Sequence, residues 1–183
     1  KQENENNLIE SFHKKLEFGT GGMRGIIGIG SNRINTYTIS LATQGLCNYL
    51  INLDNTKKTA VIAYDSRRFS KEFGIQAAKI FSANNIKSYI FTDLRPTPEL
   101  SFAVRELNSS CGLVITASHN PKEYNGYKVY WNDGGQITAP HDKNIISEVE
   151  KISDFNQINF NYDSKLIKEI DNEINKKYID KIQ

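Results

Sequence analysis

Three short apolar runs, separated by stretches of helical period, limit what this chain can fold into more than any other feature. They are Thr59-Ala-Val-Ile-Ala-Tyr-Asp65, Lys87 to Thr92, and Cys111 to Thr116. A continuous apolar run that short reads as a strand buried on both faces. Between the runs, Ser70 is expected to cap a helix to about Asn84, with Phe73, Ala77, Ile80 and Phe81 on one face. A further helix over 97–107 follows the turn prolines Pro96 and Pro98. Alternating strands and helices give right-handed crossovers and a parallel sheet covered on both sides. Tyr127 to Trp131 alternates after a short loop and is expected to be an antiparallel edge strand, closed by the turn Asp133-Gly134-Gly135. The expectation is an α/β fold, a three-layer α/β/α sandwich with a mainly parallel sheet plus that edge strand.

The flanks are less regular. Residues 7–17 carry Leu8, Ile9, Phe12 and Leu16 at helical spacing. Phe18 to Gly30 is too rich in glycine for a helix, and pattern leaves a flexible connector open there, against which stand the buried-looking Ile26, Ile27 and Ile29. Asn35 or Thr36 can cap a helix to about Asn52, and Pro140 opens one to about Ile152. Residues 153–163 are Asn-rich without helical period. Residues 164–182 regain it through Leu166, Ile170, Ile174, Tyr178 and Ile182. The division expected is a domain over 1–152 and a connector with a helix over 153–183.

A length of 183 residues allows one full domain. No run of 18 apolar residues exists, and Lys1 to Asn7 are polar, so neither a membrane span nor a signal peptide is expected. With 23 Lys and Arg against 21 Asp and Glu the charge is nearly balanced, which argues against a nucleic-acid-binding surface. Cys47 and Cys111 sit in apolar runs without a CxxC spacing. They read as buried thiols in a reducing compartment, hence a cytoplasmic location.

Ligands of open α/β sheets sit beyond the carboxyl ends of the strands. Three segments fall there: Tyr64-Asp65-Ser66-Arg67-Arg68, Leu94 to Glu99, and Thr116-Ala117-Ser118-His119-Asn120-Pro121. The last puts a hydroxyl beside an imidazole in a loop turned by Asn120-Pro121. Ser118 can be covalently loaded and His119 can move protons near neutral pH. Lys122, Lys128 and Arg24 are candidate cations for an anion held there. Pattern alone leaves open an ordinary Asn-Pro turn with a capping serine. An acyl-transfer serine is disfavoured because the Gly-x-Ser-x-Gly elbow is absent. A phosphoryl-carrying serine needs donors and cations around roughly −1.5 to −2 charges.

Thr116-Ala-Ser-His-Asn-Pro121, followed by Tyr124-Asn-Gly-Tyr-Lys-Val-Tyr130, resembles the active-serine loop of the α-D-phosphohexomutases. Phe18-Gly-Thr-Gly-Gly-Met-Arg-Gly25 is similar to that family's N-terminal loop, and Arg95-Pro-Thr-Pro98 to its third-strand entry. Ala42-Thr-Gln-Gly45 and Asp133-Gly-Gly-Gln136 look most like the branch that includes phosphoglucomutases and phosphopentomutases. The match covers roughly residues 8–152.

The resemblance implies the first domain of a phosphohexomutase, with a resting phosphate on Ser118. That phosphate passes to a sugar monophosphate, and the bisphosphate so formed returns its other phosphate to the serine. It implies that Arg24 contacts the phosphate, that His119 and Lys128 are base and acid candidates, that Asn120 orders the loop, and that Thr20 joins Arg24, Ser118 and Asn120 in binding substrate. It implies Mg2+, with the Ser118 phosphate as its one ligand here, and glucose 1,6-bisphosphate as activator. The implied partners are sugar phosphates and downstream domains of the same enzyme. Alternatives are phosphopentomutase, phosphomannomutase or glucose-1,6-bisphosphate synthase of the same family, and, from another class, a non-catalytic phosphate-binding or interaction module. The family's Asp-Gly-Asp-x-Asp-Arg metal run, its sugar-recognition loop and its distal phosphate clamp are absent from these residues. The expectation is a catalytic-serine domain with little activity alone.

Overall fold

The fold was obtained as a computed structural model, which describes residues 2–19, 21–53 and 58–183. Its centre is one mixed sheet. The strands are β1 (Phe18–Gly19), β2 (Gly22–Ile26), β3 (Thr59–Tyr64), β4 (Lys87–Phe91), β5 (Cys111–Ile115), β6 (Tyr124–Trp131) and β7 (Ile167–Ile170), and their spatial order is β1-β2-β6-β5-β3-β4-β7. The block β5-β3-β4-β7 is parallel, and the arm β1-β2-β6 joins it antiparallel. All of β3 is buried, as its apolar run requires.

The helices are α1 (Gln2–Phe12), α2 (Thr36–Ile51), α3 (Ser70–Ala83), α4 (Thr97–Glu106), α5 (His141–Glu150) and α6 (Asn172–Ile182). Side chains alternate across the sheet. Ala60, Ile62, Leu113, Ile115, Tyr127 and Val129 therefore join the core with α2, α3 and α5, and Cys47 and Cys111 are free thiols buried in it. Val61, Ala63 and Val114 join a smaller core under α4 and α6 on the other face. The three layers expected from the sequence are present. No described helix is long and apolar enough to cross a membrane.

Local chemistry explains the clearest helix. Asn35 accepts from the N–H groups of Tyr37 and Thr38, while Thr38 accepts from the Asn35 N–H, a reciprocal capping box. Ile39, Leu46 and Leu50 then face the core.

Several expectations need correction. Ser70 does not cap α3. The residue before the helix is Phe69, in the left-handed region at φ 63°, and the Ser70 hydroxyl donates instead to Asp65 at 2.8 Å. The stretch from Phe18, where pattern left a connector open, forms the antiparallel pair β1-β2. Strand β6 is accordingly antiparallel, as expected, but interior: β2 covers its outer side and β1 holds the edge. Gly22 makes this pairing possible. Its φ is +144°, and a Cβ there would meet the Tyr127 carbonyl oxygen at 1.8 Å. The first helix is shifted to Gln2–Phe12. The single helix expected over 164–182 is a turn capped by Asp163, then β7, then α6. The open edge of β4 captures residues 167–170, and Thr92 N–H donates to Ile170. Helix α6 packs on α4 through the Phe102 and Tyr178 rings and the Lys177–Glu106 ion pair at 3.0 Å. Thr20 lies outside the described residues.

Candidate functional site

Strand β5 delivers Thr116 and Ala117, both buried, and then Ser118, which is exposed at the carboxyl rim of the parallel block. The Ser118 N–H donates to Thr116 Oγ1 at 3.0 Å, and the Asn120 N–H returns to the Ala117 carbonyl at 3.1 Å. This tight turn holds Ser118 at φ 58°. A residue with a Cβ costs about 1–2 kcal/mol there, so something must hold the loop.

The holder is Arg67, three residues beyond the end of β3. Its Nη1 donates to the carbonyls of Pro121 (2.8 Å) and Tyr124 (3.0 Å), and its Nη2 to those of Ser118 (2.9 Å) and Asn120 (2.7 Å). Its Nε lies 3.4 Å from Asp65 Oδ2. Hydrogen bonds from a charged donor contribute about 1.5–3 kcal/mol each. Four of them outweigh the left-handed penalty even after generous discount. Asn125 adds a second tie, donating from its buried amide to the Arg68 carbonyl and the Ser70 hydroxyl. The sequence placed Asp65 and Arg67 at the right rim but assigned them no part. The one signal was a charged pair directly after a buried strand.

The cations come from the antiparallel arm. In the β2–β6 register Arg24 faces Gly126 and Gly22 faces Lys128, so Arg24 and Lys128 are diagonal neighbours on one face. Met23 and Tyr127 point into the core on the other face. Arg24 is exposed and Lys128 half-buried. Gly126 keeps this face low, since a Cβ there would come within 2.6 Å of the Thr116 carbonyl oxygen. Partial burial and, secondarily, the Arg24 charge push the Lys128 ammonium below its usual range. Arg24 Nη1 donates to Asn120 Oδ1 at 2.9 Å, which ties the cation to the serine loop.

Ser118, Asn120, Arg67, Arg68 and Lys122 line one open depression with Asp65. Arg24, Lys128 and Gln136 line a second, smaller one. The structure thus brings Ser118, Asn120 and Arg24 together at the rim, whereas Lys128 lies opposite Val114 in the β5–β6 register and meets Arg24 in the second depression. His119 is exposed next to Ser118. Asp65 is committed to Arg67 and Ser70. Among the described residues no group of three His, Cys, Asp or Glu side chains can hold a metal ion. The site is an exposed serine among the cations Arg24, Arg68 and Lys122, suited to an anion and, among the described residues, without a carboxylate or imidazole cluster for a divalent metal.

Comparison with known proteins agrees with this geometry. Residues 15–156 match the family model described as phosphoglucomutase/phosphomannomutase, alpha/beta/alpha domain I. The human phosphopentomutase is 43% identical over 156 residues, an alignment that covers 81% of this chain and 26% of that protein. A Staphylococcus aureus phosphoglucomutase (strain MRSA252) is 44% identical over 149 residues, covering 81% of this chain and 27% of that protein. The chain therefore spans about a quarter of the curated relatives it matches. Among solved structures, a putative phosphomannomutase from Thermus thermophilus superposes with a TM-score of 0.73 at 26% identity, over 86% of this chain and 33% of that one. Matched along most of its length by sequence and by fold, the chain belongs to the phosphoglucomutase/phosphomannomutase family and carries that family's first α/β/α domain.

Proposed function

We propose that this chain is the phosphate-carrying domain of a phosphoglucomutase-type isomerase, with Ser118 as the carrier. The observation that supports it most is the placement of Ser118: an exposed serine whose backbone carbonyl is held by Arg67, next to an Arg24–Asn120 pair, at the rim of a parallel sheet. In the forward step the Ser118 Oγ–P bond breaks, the freed serine oxygen takes up a proton, and a new O–P bond forms to a hydroxyl of the sugar monophosphate. That hydroxyl's proton leaves to a base, for which His119 is the adjacent candidate. In the return step Ser118 gives its hydroxyl proton to a base as the other phosphate moves from the bisphosphate to its Oγ, and Lys128 is the acid candidate for the sugar oxygen that is freed. Partial burial beside Arg24 lowers its affinity for its proton, as such a role needs. Arg24 neutralises charge on the phosphate throughout.

Magnesium would polarise the transferring phosphoryl group when bound. The described residues do not form its site: the carboxylate in the depression, Asp65, is already paired, and no acidic cluster is present among them. The Ser118 phosphate would contribute one ligand, the others lying outside these residues. Phosphoryl-transfer enzymes reach accelerations up to ~10²¹ for monoester chemistry, and an open half-site of one hydroxyl and two cations supplies a small part of that.

The same alignment level to a phosphopentomutase supports a second reading, in which the sugar is a pentose phosphate. Both are tested together. The chain, alone and joined to the remaining domains of the S. aureus phosphoglucomutase, is assayed with glucose 1-phosphate and with ribose 1-phosphate, in magnesium and a trace of the matching bisphosphate. Expected are little or no turnover alone, turnover on joining, and its loss in Ser118→Ala. A joined Ser118→Ala variant as active as its parent would overturn the reading.

A further inference from the structure

We propose that Arg67 is the positioning residue of the serine loop, and that its planar fork, and not its charge alone, sets both the Ser118 conformation and an outward-facing backbone anion cradle. This deepens the phosphoserine reading above and rests on it for its function. Every N–H direction of the guanidinium is used on protein. The two Nη atoms bind four carbonyls spread over residues 118–124, and Nε faces Asp65. Asp65 in turn accepts from the Arg67 backbone N–H at 2.9 Å and from Ser70, so the fork has its own orienting partner. The Arg67 side chain is 14% exposed, whereas the neighbouring Arg68 is exposed and lies over the Phe69 ring. Arg67 is therefore built into the loop rather than offered to a ligand.

The geometry has a consequence in front of the loop. A trans peptide is planar, with its C=O and N–H directed oppositely. Pulling the Ser118 and Pro121 carbonyls back onto Arg67 turns the N–H groups of His119 and Lys122 away from it. Backbone N–H groups gathered in that way, next to a residue of positive φ, make an anion-binding concavity. Arg24, held on Asn120, closes the cationic side. Lysine cannot replace this fork, because a single ammonium has three donors at one point and cannot reach four carbonyls across the loop.

The test uses Arg67→Lys in the full chain, read by amide-resolved hydrogen exchange and by amide chemical shifts during titration with inorganic phosphate. Expected is exchange about tenfold or more faster at the Asn120 and Tyr124 amides, which close the loop onto Ala117 and Pro121. The Leu113 and Val61 amides in the sheet should keep their protection. Phosphate should shift the His119 and Lys122 amides in the parent and not in the variant. Unchanged loop exchange, an equal rise at all amides, or intact phosphate shifts in Arg67→Lys would each overturn the proposal. Should Arg67→Lys not fold, Asp65→Asn carries the test: the same loop amides must loosen by a smaller factor, and no loosening overturns it. If loop and phosphate behave as expected but Ser118 never carries phosphate, the positioning stands and the phosphoserine reading falls.

Discussion

The backbone at Ser118 makes a prediction about stability that separates the nucleophile's conformation from its chemistry. Two other non-glycine residues with positive φ, Asn85 (58°) and Asn108 (49°), follow the ends of α3 and α4, where asparagine is a common left-handed stop. Ser118 has no such excuse. Replacing it with alanine removes the hydroxyl but keeps the Cβ and its left-handed penalty. Replacing it with glycine removes both. The penalty relieved is about 1–2 kcal/mol, and the extra unfolded-state freedom of glycine returns about 0.5–1 kcal/mol. Ser118→Gly should therefore be more stable than Ser118→Ala by about 0.75 kcal/mol at the middle of these ranges, and by no more than about 1.5 kcal/mol. For a chain of this size that is a rise of about 1–4 °C in melting temperature, readable by circular dichroism or calorimetry at matched concentration. A glycine variant that melts at or below the alanine variant would show that the turn stores no strain at this position.

Other consequences follow from single contacts. In Arg24→Gln the Lys128 ammonium should regain proton affinity, because one of its two causes of depression is gone, and side-chain NMR titration reads this directly. The parent's sign is fixed: Lys128 binds its proton less well folded than unfolded, so stability rises as pH climbs through its lowered value toward 10.5, and that rise should shrink in Arg24→Gln. Gly22→Ala should cost about 3 kcal/mol or more, since its Cβ would overlap the Tyr127 carbonyl. Gly19→Ala, whose Cβ meets nothing nearer than 3.8 Å, should be nearly neutral by the same melting assay.

What the sequence made legible, and what it hid, follows from where each signal is stored. The strands β3, β4 and β5 and the helices between them are written locally, in apolar runs and helical period, and Asn35 carries its own cap. The hairpin β1-β2 is hidden because its glycines are selected by how closely β6 and Gln136 approach, a contact more than a hundred residues away in sequence, and glycine weakens any local strand signal. Strand β7 is hidden for a different reason: Leu166, Ile170 and Ile174 satisfy a helical spacing, and only the unpaired edge of β4 decides otherwise. At the site, Ser118, His119 and Asn120 were visible through their residue types and their resemblance to a known loop. Arg67 was not, because its partners are backbone carbonyls, which leave no mark in side-chain identity.

The central claim is that Ser118 Oγ carries phosphate. Its most direct measurement is peptide mapping by mass spectrometry after incubation with glucose 1,6-bisphosphate and magnesium, with the chain joined to the remaining domains of a relative. A single phosphate on Ser118, absent in Ser118→Ala, is the predicted result. A phosphate on another residue, or none on a joined protein whose relative loads normally, would contradict it.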